Sequence, residues 1–172
     1  VGMALGAVCP DQLVTEVGIT EPAQVALLDA APTQQELATF AAEQCTGAAA
    51  IAIPAFAYPV SLAYNIIGLD GLTITPAAMA GILDGSIASF EDPLIAQANA
   101  GFDLTGLPPI TVLGLQEPQG AVEAMTTWLT QRDPQAWTSG VSGTLAAATP
   151  MATTTDLIAE LTLAEGNVAV LP

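Results

Sequence analysis

The sequence predicts an α/β sandwich, and three observations carry that expectation. Short apolar runs of strand length recur along the chain, helix-capping residue pairs stand between them, and the two alternate up to the closing residues. With 172 residues, 52% of them hydrophobic, the chain is long enough to bury a substantial core, and composition leads us to expect one compact globular unit.

The elements follow in order. Val1 to Val8 is small and apolar, too short for periodicity to decide between a strand and the start of a buried helix. Thr20 and Pro22, with Val25, Leu27 and Leu28 behind them, read as a short capped helix. Thr33 and Glu36 have the spacing of a capping box, and Leu37, Phe40 and Ala41 share one face of the helix it opens. Ala48 to Ile53 and Tyr58 to Tyr64 are apolar without helical spacing, as expected of buried strands in a central sheet. Thr75 and Pro76 open a helix through Leu83, with Gly85 placed to end it, and Asp92 and Pro93 open another through Ala98. Ile110 to Leu115 reads as a strand, Glu117 to Gly120 as a turn, and Val122, Met125, Trp128 and Leu129 as the core-facing stripe of the next helix. Thr153 to Thr155 cap a last helix bearing Leu157, Ile158 and Leu161, and Gly166 stops it before the closing strand Val168 to Leu171.

Charge narrows the partners. Seventeen acidic residues stand against a single basic one, Arg132, for a formal net charge of −16. Nucleic acid and anionic lipid surfaces are bound through Lys and Arg, so both are poor partners, and no nucleic acid is expected. Such a surface suits solubility, adaptation to high salt, or a proteome poor in Lys. The longest apolar runs, such as Ala48 to Tyr58, are interrupted by Pro54 and fall short of the ~20 residues a membrane-spanning helix needs. No charged-then-apolar export signal is visible, so one would have to lie upstream or have been removed.

Chemistry is thinly provided. The chain has no His and no Lys, which removes the commonest general base and the Schiff-base nucleophile. Sequence neighbours such as Glu91 and Asp92 sit where a helix begins and read as solvated caps rather than a catalytic or calcium pair. We therefore expect no enzyme, no catalytic residue, no metal and no cofactor. Cys9 and Cys45 lack the close pairing of zinc ligands. They are either two buried thiols or, in an exported protein, one disulfide that would stabilise the fold by about 3 to 4 kcal/mol. The run Ser139 to Thr144 reads as a flexible loop or as a set of donors to a small anion.

A family resemblance enters at Met79 to Gly101, which reads MAGILDGSIASFEDPLIAQANAG. It resembles the run I-x-x-G-x-I-x-x-W-x-D-P-x-I-x-x-x-N-P-G of PstS-type phosphate-binding proteins, matching at Ile82, Gly85, Ile87, Asp92, Pro93, Ile95, Asn99 and Gly101. Phe90 stands for the Trp and Ala100 for the second Pro. Tyr64, Asn65 and Gly68 are similar to the strand and turn before that run, and the likeness extends over Gly18 to Pro172. It implies a periplasmic-binding-protein-like (type II) fold, partial or trimmed, with a mixed sheet flanked by helices. Residues 1–60 would form part of the first lobe and 61–172 the second α/β lobe. In the family such a fold captures phosphate for an ABC importer.

Three departures qualify what the resemblance implies. Where the family carries R-x-D-G-S-G-T, this chain has Leu115, Gln116, Glu117, Pro118, Gln119, Gly120 and Ala121. Leu115 replaces the Arg, Gln119 the Ser and Ala121 the Thr, while Gly120 is kept. Each missing charge-assisted bond costs about 1.5 to 3 kcal/mol, so on the order of 5 kcal/mol of anion binding is lost, or thousands-fold in affinity. Thr20 and Glu21 resemble the family's A-S-D-A-P turn, but by residue type they read first as an N-cap and a first-turn acid. The family's opening G-x-G-S-T-F loop is absent before Thr20, and its returning strand and final helix would lie beyond Pro172.

The reading that results is a non-enzymatic, extracellular module of PstS type with an eroded phosphate site, serving protein interaction or structural support in a cell-envelope protein or membrane complex. The alternative is a working binding protein of an ABC importer. It would take phosphate or another small ligand through Thr20, Glu21, Gln119 and Gly120.

Overall fold

The computed structural model describes residues 3–6, 25–28, 30–44, 50–54 and 57–172. The chain divides into two compact units, Val1–Pro59 and Val60–Pro172, rather than the one that composition suggested. Each has its own sheet.

In the first unit, strand β1 (Met3–Gly6) lies between β2 (Val25–Leu28) and β3 (Ile51–Pro54), antiparallel to both, with Met3 opposite Leu28 on one side and Pro54 on the other. Val25–Leu28 is thus a strand, not the helix its apolar spacing suggested. Four residues ending in Val-Ala-Leu-Leu carry too few turns for spacing to decide, and pairing with β1 does. Helix α1 (Gln34–Gln44) opens on the expected capping box. The Glu36 carboxylate accepts from the Thr33 N–H at 2.7 Å and from its hydroxyl at 2.8 Å, and the Glu36 N–H donates to Thr33 Oγ1 at 3.2 Å. Phe40 is fully buried against Leu28, Leu37, Ala50 and Ala52.

The second unit is built on a mixed sheet in the order β4 (Ser61–Tyr64), β7 (Asn167–Leu171), β5 (Thr111–Leu115), β6 (Thr149–Met151). β4 runs antiparallel to β7, while β5 runs parallel to both β7 and β6. The strands at 51–54 and 61–64, read as members of one sheet, therefore belong to two. β6 went unread because a three-residue strand containing Pro150 carries no period. Helix α5 (Thr154–Leu163) buries Leu157 and Leu161 against Leu113 and Ala169 on one face of the sheet. Helix α4 (Gly120–Arg132) packs against β7, whose Val168 and Val170 alternate to the opposite face. Every residue of β7 up to Val170 is buried, as a strand covered on both sides requires.

The segment that carries the family resemblance is scaffold. Helix α2 (Pro76–Asp84) starts at Thr75, whose hydroxyl accepts from the Ala78 N–H at 3.2 Å, and stops at Gly85, left-handed at φ 83° with its N–H on the Ile82 carbonyl. Helix α3 (Pro93–Ala96) starts at Asp92, which accepts from the Leu94 N–H at 2.9 Å, and tightens into a 3₁₀ turn over Gln97–Asn99 instead of running on as α-helix. Ile82, Ile87, Phe90 and Ile95 are core. Asn99, 4% exposed, accepts from the Thr73 N–H at 2.7 Å and donates to the carbonyls of Thr73 and Ile95, both at 2.8 Å. That amide uses both its ends on backbone and pins the chain ahead of α2 to the turn behind α3.

Candidate anion site at the start of helix α4

β5 delivers the chain to the point where the resemblance places a phosphate loop, and α4 leaves from it. Each position can be followed in turn. Leu115 ends β5 and packs against the Leu113, Leu157, Leu161 and Ala169 cluster, so the position that would carry the cationic fork feeds the core. Glu117 is exposed, and Glu123 lies in the first turn of α4, so the helix start is flanked by negative charge. Arg132 is at the other end of α4, ~18 Å along its axis.

Gln119 holds the N-cap position with extended backbone (φ −125°, ψ 134°), but its side chain makes no capping bond. Its own N–H donates to the Gly143 carbonyl at 2.8 Å, and its carbonyl accepts from the Glu123 N–H at 3.0 Å. Gly120 is buried. Gly143 reaches Gln119 because it lacks a side chain: a Cβ there would come within 2.8 Å of Pro118 Cβ and 3.2 Å of the Gln119 nitrogen.

The Ser139 to Thr144 run is therefore held against the start of α4, and its Ser142 N–H, Ser142 hydroxyl and Thr144 N–H are engaged. The Ser142 N–H donates to the Thr126 hydroxyl at 3.0 Å, and that hydroxyl, fully buried, lies 2.8 Å from the Ser142 carbonyl it donates to. Ser142 Oγ donates to the Thr144 carbonyl at 2.8 Å and accepts from the Thr144 N–H at 3.1 Å. The Trp137 indole N–H donates to the Gly140 carbonyl at 2.7 Å. What the loop turns toward Gln119 is a carbonyl oxygen, an acceptor where an anion needs donors. At Gly143 the run thus presents an acceptor, the opposite of the anion cradle that was one of the two roles the sequence suggested.

Of the residues expected to bind ligand, the structure brings Gln119 and Gly120 together at this helix start, while Thr20 and Glu21 lie outside the described residues, as do Cys9 and Cys45. Thr126 was missed, as was the role of Gly143 within the run: Thr126 meets Ser142 across 16 positions and Gly143 meets Gln119 across 24, and no local pattern marks either contact. The stripe on α4 is core at Val122, Met125 and Leu129, but Trp128 is 44% exposed, and Ile158 on α5 is 47% exposed. Among the described residues no group of three or more Cys, Asp or Glu is gathered as metal ligands, and no helix is long and apolar enough to cross a membrane.

No family model matches the chain. It is 33% identical over 104 residues to phosphate-binding protein PstS 3 of Mycobacterium leprae and, over the same length, to phosphate-binding protein PstS2 of Mycobacterium bovis, covering 60% of this chain and 28% of each relative. Phosphate-binding protein PstS 2 of Mycobacterium tuberculosis is 32% identical over 103 residues. The chain thus spans about a quarter of the length of these curated relatives. Among solved structures, a high affinity periplasmic phosphate-binding protein bound with phosphate superposes with a TM-score of 0.64 at 19% identity, over 85% of this chain and 40% of that one. The PstS resemblance and the binding-protein fold read from the sequence are both borne out. The relatives are binding proteins, not enzymes.

Proposed function

We propose, from the premise that this chain is built like part of a PstS phosphate-binding protein, that it is a non-enzymatic binding-protein module whose phosphate site is eroded. It serves protein interaction or structural support in an exported, cell-envelope setting, with residues 61–172 as the α/β lobe that carries the remnant of the site. The observation that supports this most is the start of α4: the Gln119 N–H is taken by the Gly143 carbonyl at 2.8 Å, and the position of the cationic fork is Leu115, a leucine packed against the α5 core cluster. A phosphate leaving water needs its hydration replaced by donors, and here the Gly143 carbonyl is an acceptor and Glu117 and Glu123 add negative charge to the same stretch of chain.

Calorimetric titration with inorganic phosphate, at low and high salt, tests the reading. The expected result is no saturable heat up to millimolar phosphate and no rise in melting temperature. Submicromolar binding with a raised melting temperature would overturn it and establish the importer reading, with donors drawn from elsewhere in the chain.

A further inference from the structure

The two most exposed large hydrophobic side chains among the described residues are Ile67, 80% exposed, and Leu163, 79% exposed. They stand at one corner of the α/β unit, joined by the Asn65 side chain. Its amide nitrogen donates to the Thr162 carbonyl at 3.2 Å and to the Ala164 carbonyl at 3.1 Å, the two that flank Leu163. Ile67 follows Asn65 by two residues, a reach of at most about 7 Å. The Asn65 backbone closes the same corner: its N–H donates to the Asn167 carbonyl at 3.0 Å, and its carbonyl accepts from the Gly166 N–H at 2.8 Å. The turn that carries Ile67 is also fixed from within. The Tyr64 hydroxyl donates to the Leu69 carbonyl at 3.0 Å and accepts from the Leu72 N–H at 3.2 Å, while Ile66 and Leu69 are buried. Single apolar side chains scattered over a surface are ordinary; two held out on one hydrogen-bonded frame form a prepared contact.

Charge decides what fits that contact. The charged residues within three positions of Ile67 or Leu163 are Asp70, Glu160 and Glu165, all acidic. Arg132, the one basic residue of the chain, lies at the end of α4. We infer that this corner is a docking surface for a basic amphipathic helix of a partner protein. The apolar stripe of that helix covers Ile67 and Leu163, and its flanking Lys or Arg side chains meet the carboxylates. A second copy of this chain would set acid against acid, and anionic lipid or nucleic acid has the wrong sign. The frame is ordered before contact, so binding does not have to organise it. This docking role rests on the protein-interaction reading above, and its surface shares no residue with the start of α4.

Two amphipathic helical peptides, one of Leu and Lys and one of Leu and Glu, test it by titration of the full chain with the backbone amide signals followed by NMR. The Leu–Lys peptide should bind saturably, shift the signals of residues 65–70 and 162–165, and weaken as salt rises. The Leu–Glu peptide should not bind. Ile67→Ser and Leu163→Ser change side chains that water already surrounds, so both should keep the melting temperature of the parent. Each should weaken the Leu–Lys peptide by about tenfold or more. Val141→Ser, which changes an exposed side chain in the loop beside the α4 start, should leave the affinity unchanged. Unchanged affinity in I67S and L163S, an equal loss in V141S, or equal binding of the Leu–Glu peptide would each overturn the inference. Self-association of the parent chain that I67S abolishes would overturn it too, by assigning the corner to a second copy. Phosphate binding would overturn the eroded-site reading and leave this surface standing, whereas a silent Leu–Lys peptide would remove the surface and leave the eroded site.

Discussion

Helices α5 and α4 both follow a strand of the same sheet, yet they begin in different ways. α5 is closed by its own sequence: the Thr153 hydroxyl accepts from the Asp156 N–H at 3.1 Å and donates to the Asp156 carboxylate at 2.7 Å. α2 and α3 do likewise through Thr75 and Asp92. The N-cap residue of α4, Gln119, makes no side-chain capping bond, and its own N–H is taken by the carbonyl of Gly143, 24 residues downstream. Under the proposed reading, this helix start is where the anion site has lost its hydroxyls and cation and a neighbouring loop has taken up a donor. The difference separates helix starts closed by local chemistry from one whose N-cap residue is held by tertiary packing.

The sharpest way to break that comparison is to release the loop. Thr126→Val keeps the shape of a fully buried side chain but leaves the Ser142 N–H without its acceptor and the Ser142 carbonyl without its donor. We expect a loss of about 2 kcal/mol in urea unfolding, with Thr126→Ser recovering most of it. A loss below about 0.5 kcal/mol, the scale of an ordinary surface change, would mean that the loop is not fastened through Thr126.

The same contrast explains what the sequence revealed. Thr33 with Glu36, Thr75 with Pro76 and Gly85, Asp92 with Pro93, and Thr153 were each legible because a cap is a matter of three or four consecutive residues. The run Ile82 to Gly101 was legible as a family likeness because its matched residues are core, caps or the Asn99 clamp. The strand Val25–Leu28 was misread because pairing rather than spacing decides so short a segment. At the candidate site the replacement of the family's Arg by Leu115 was visible as a substitution. That the Leu115 side chain joins the α5 cluster, and that Gly143 turns a carbonyl to Gln119, were not visible, since both are set by residues far apart in sequence.

A smaller effect tests whether α4 truly lacks a side-chain cap. Thr153→Ala removes both bonds at the start of α5 and should cost about 1 kcal/mol, with Thr75→Ala similar on α2. Gln119→Ala removes a side chain that makes no capping bond, so its unfolding midpoint should stay within about 0.5 kcal/mol of the parent. Gln119→Ala costing as much as Thr153→Ala would show that the glutamine side chain caps α4 in solution, and the two helix starts would then be alike.

The smallest expected effect concerns acid. The Glu36 carboxyl is held below its ordinary value of 4.5, first by the hydrogen bond from the Thr33 backbone and then by that from its hydroxyl. A folded-state pKa lower than the unfolded one stabilises the fold above the unfolded value, and the contribution fades as pH falls through the folded value. The α1 start should therefore weaken on acidification below about 4.5. Glu36→Gln should be slightly less stable at neutral pH and should lose less than the parent as pH drops. The Gln119 side chain carries no charge and makes no capping bond, so Gln119→Ala should leave the pH profile of unfolding unaltered. Amide exchange across α1 and α4 over the same range distinguishes the two: accelerated exchange at α1 with α4 unchanged keeps the comparison, whereas equal acid sensitivity at both starts would place Glu117 or Glu123 in the α4 cap.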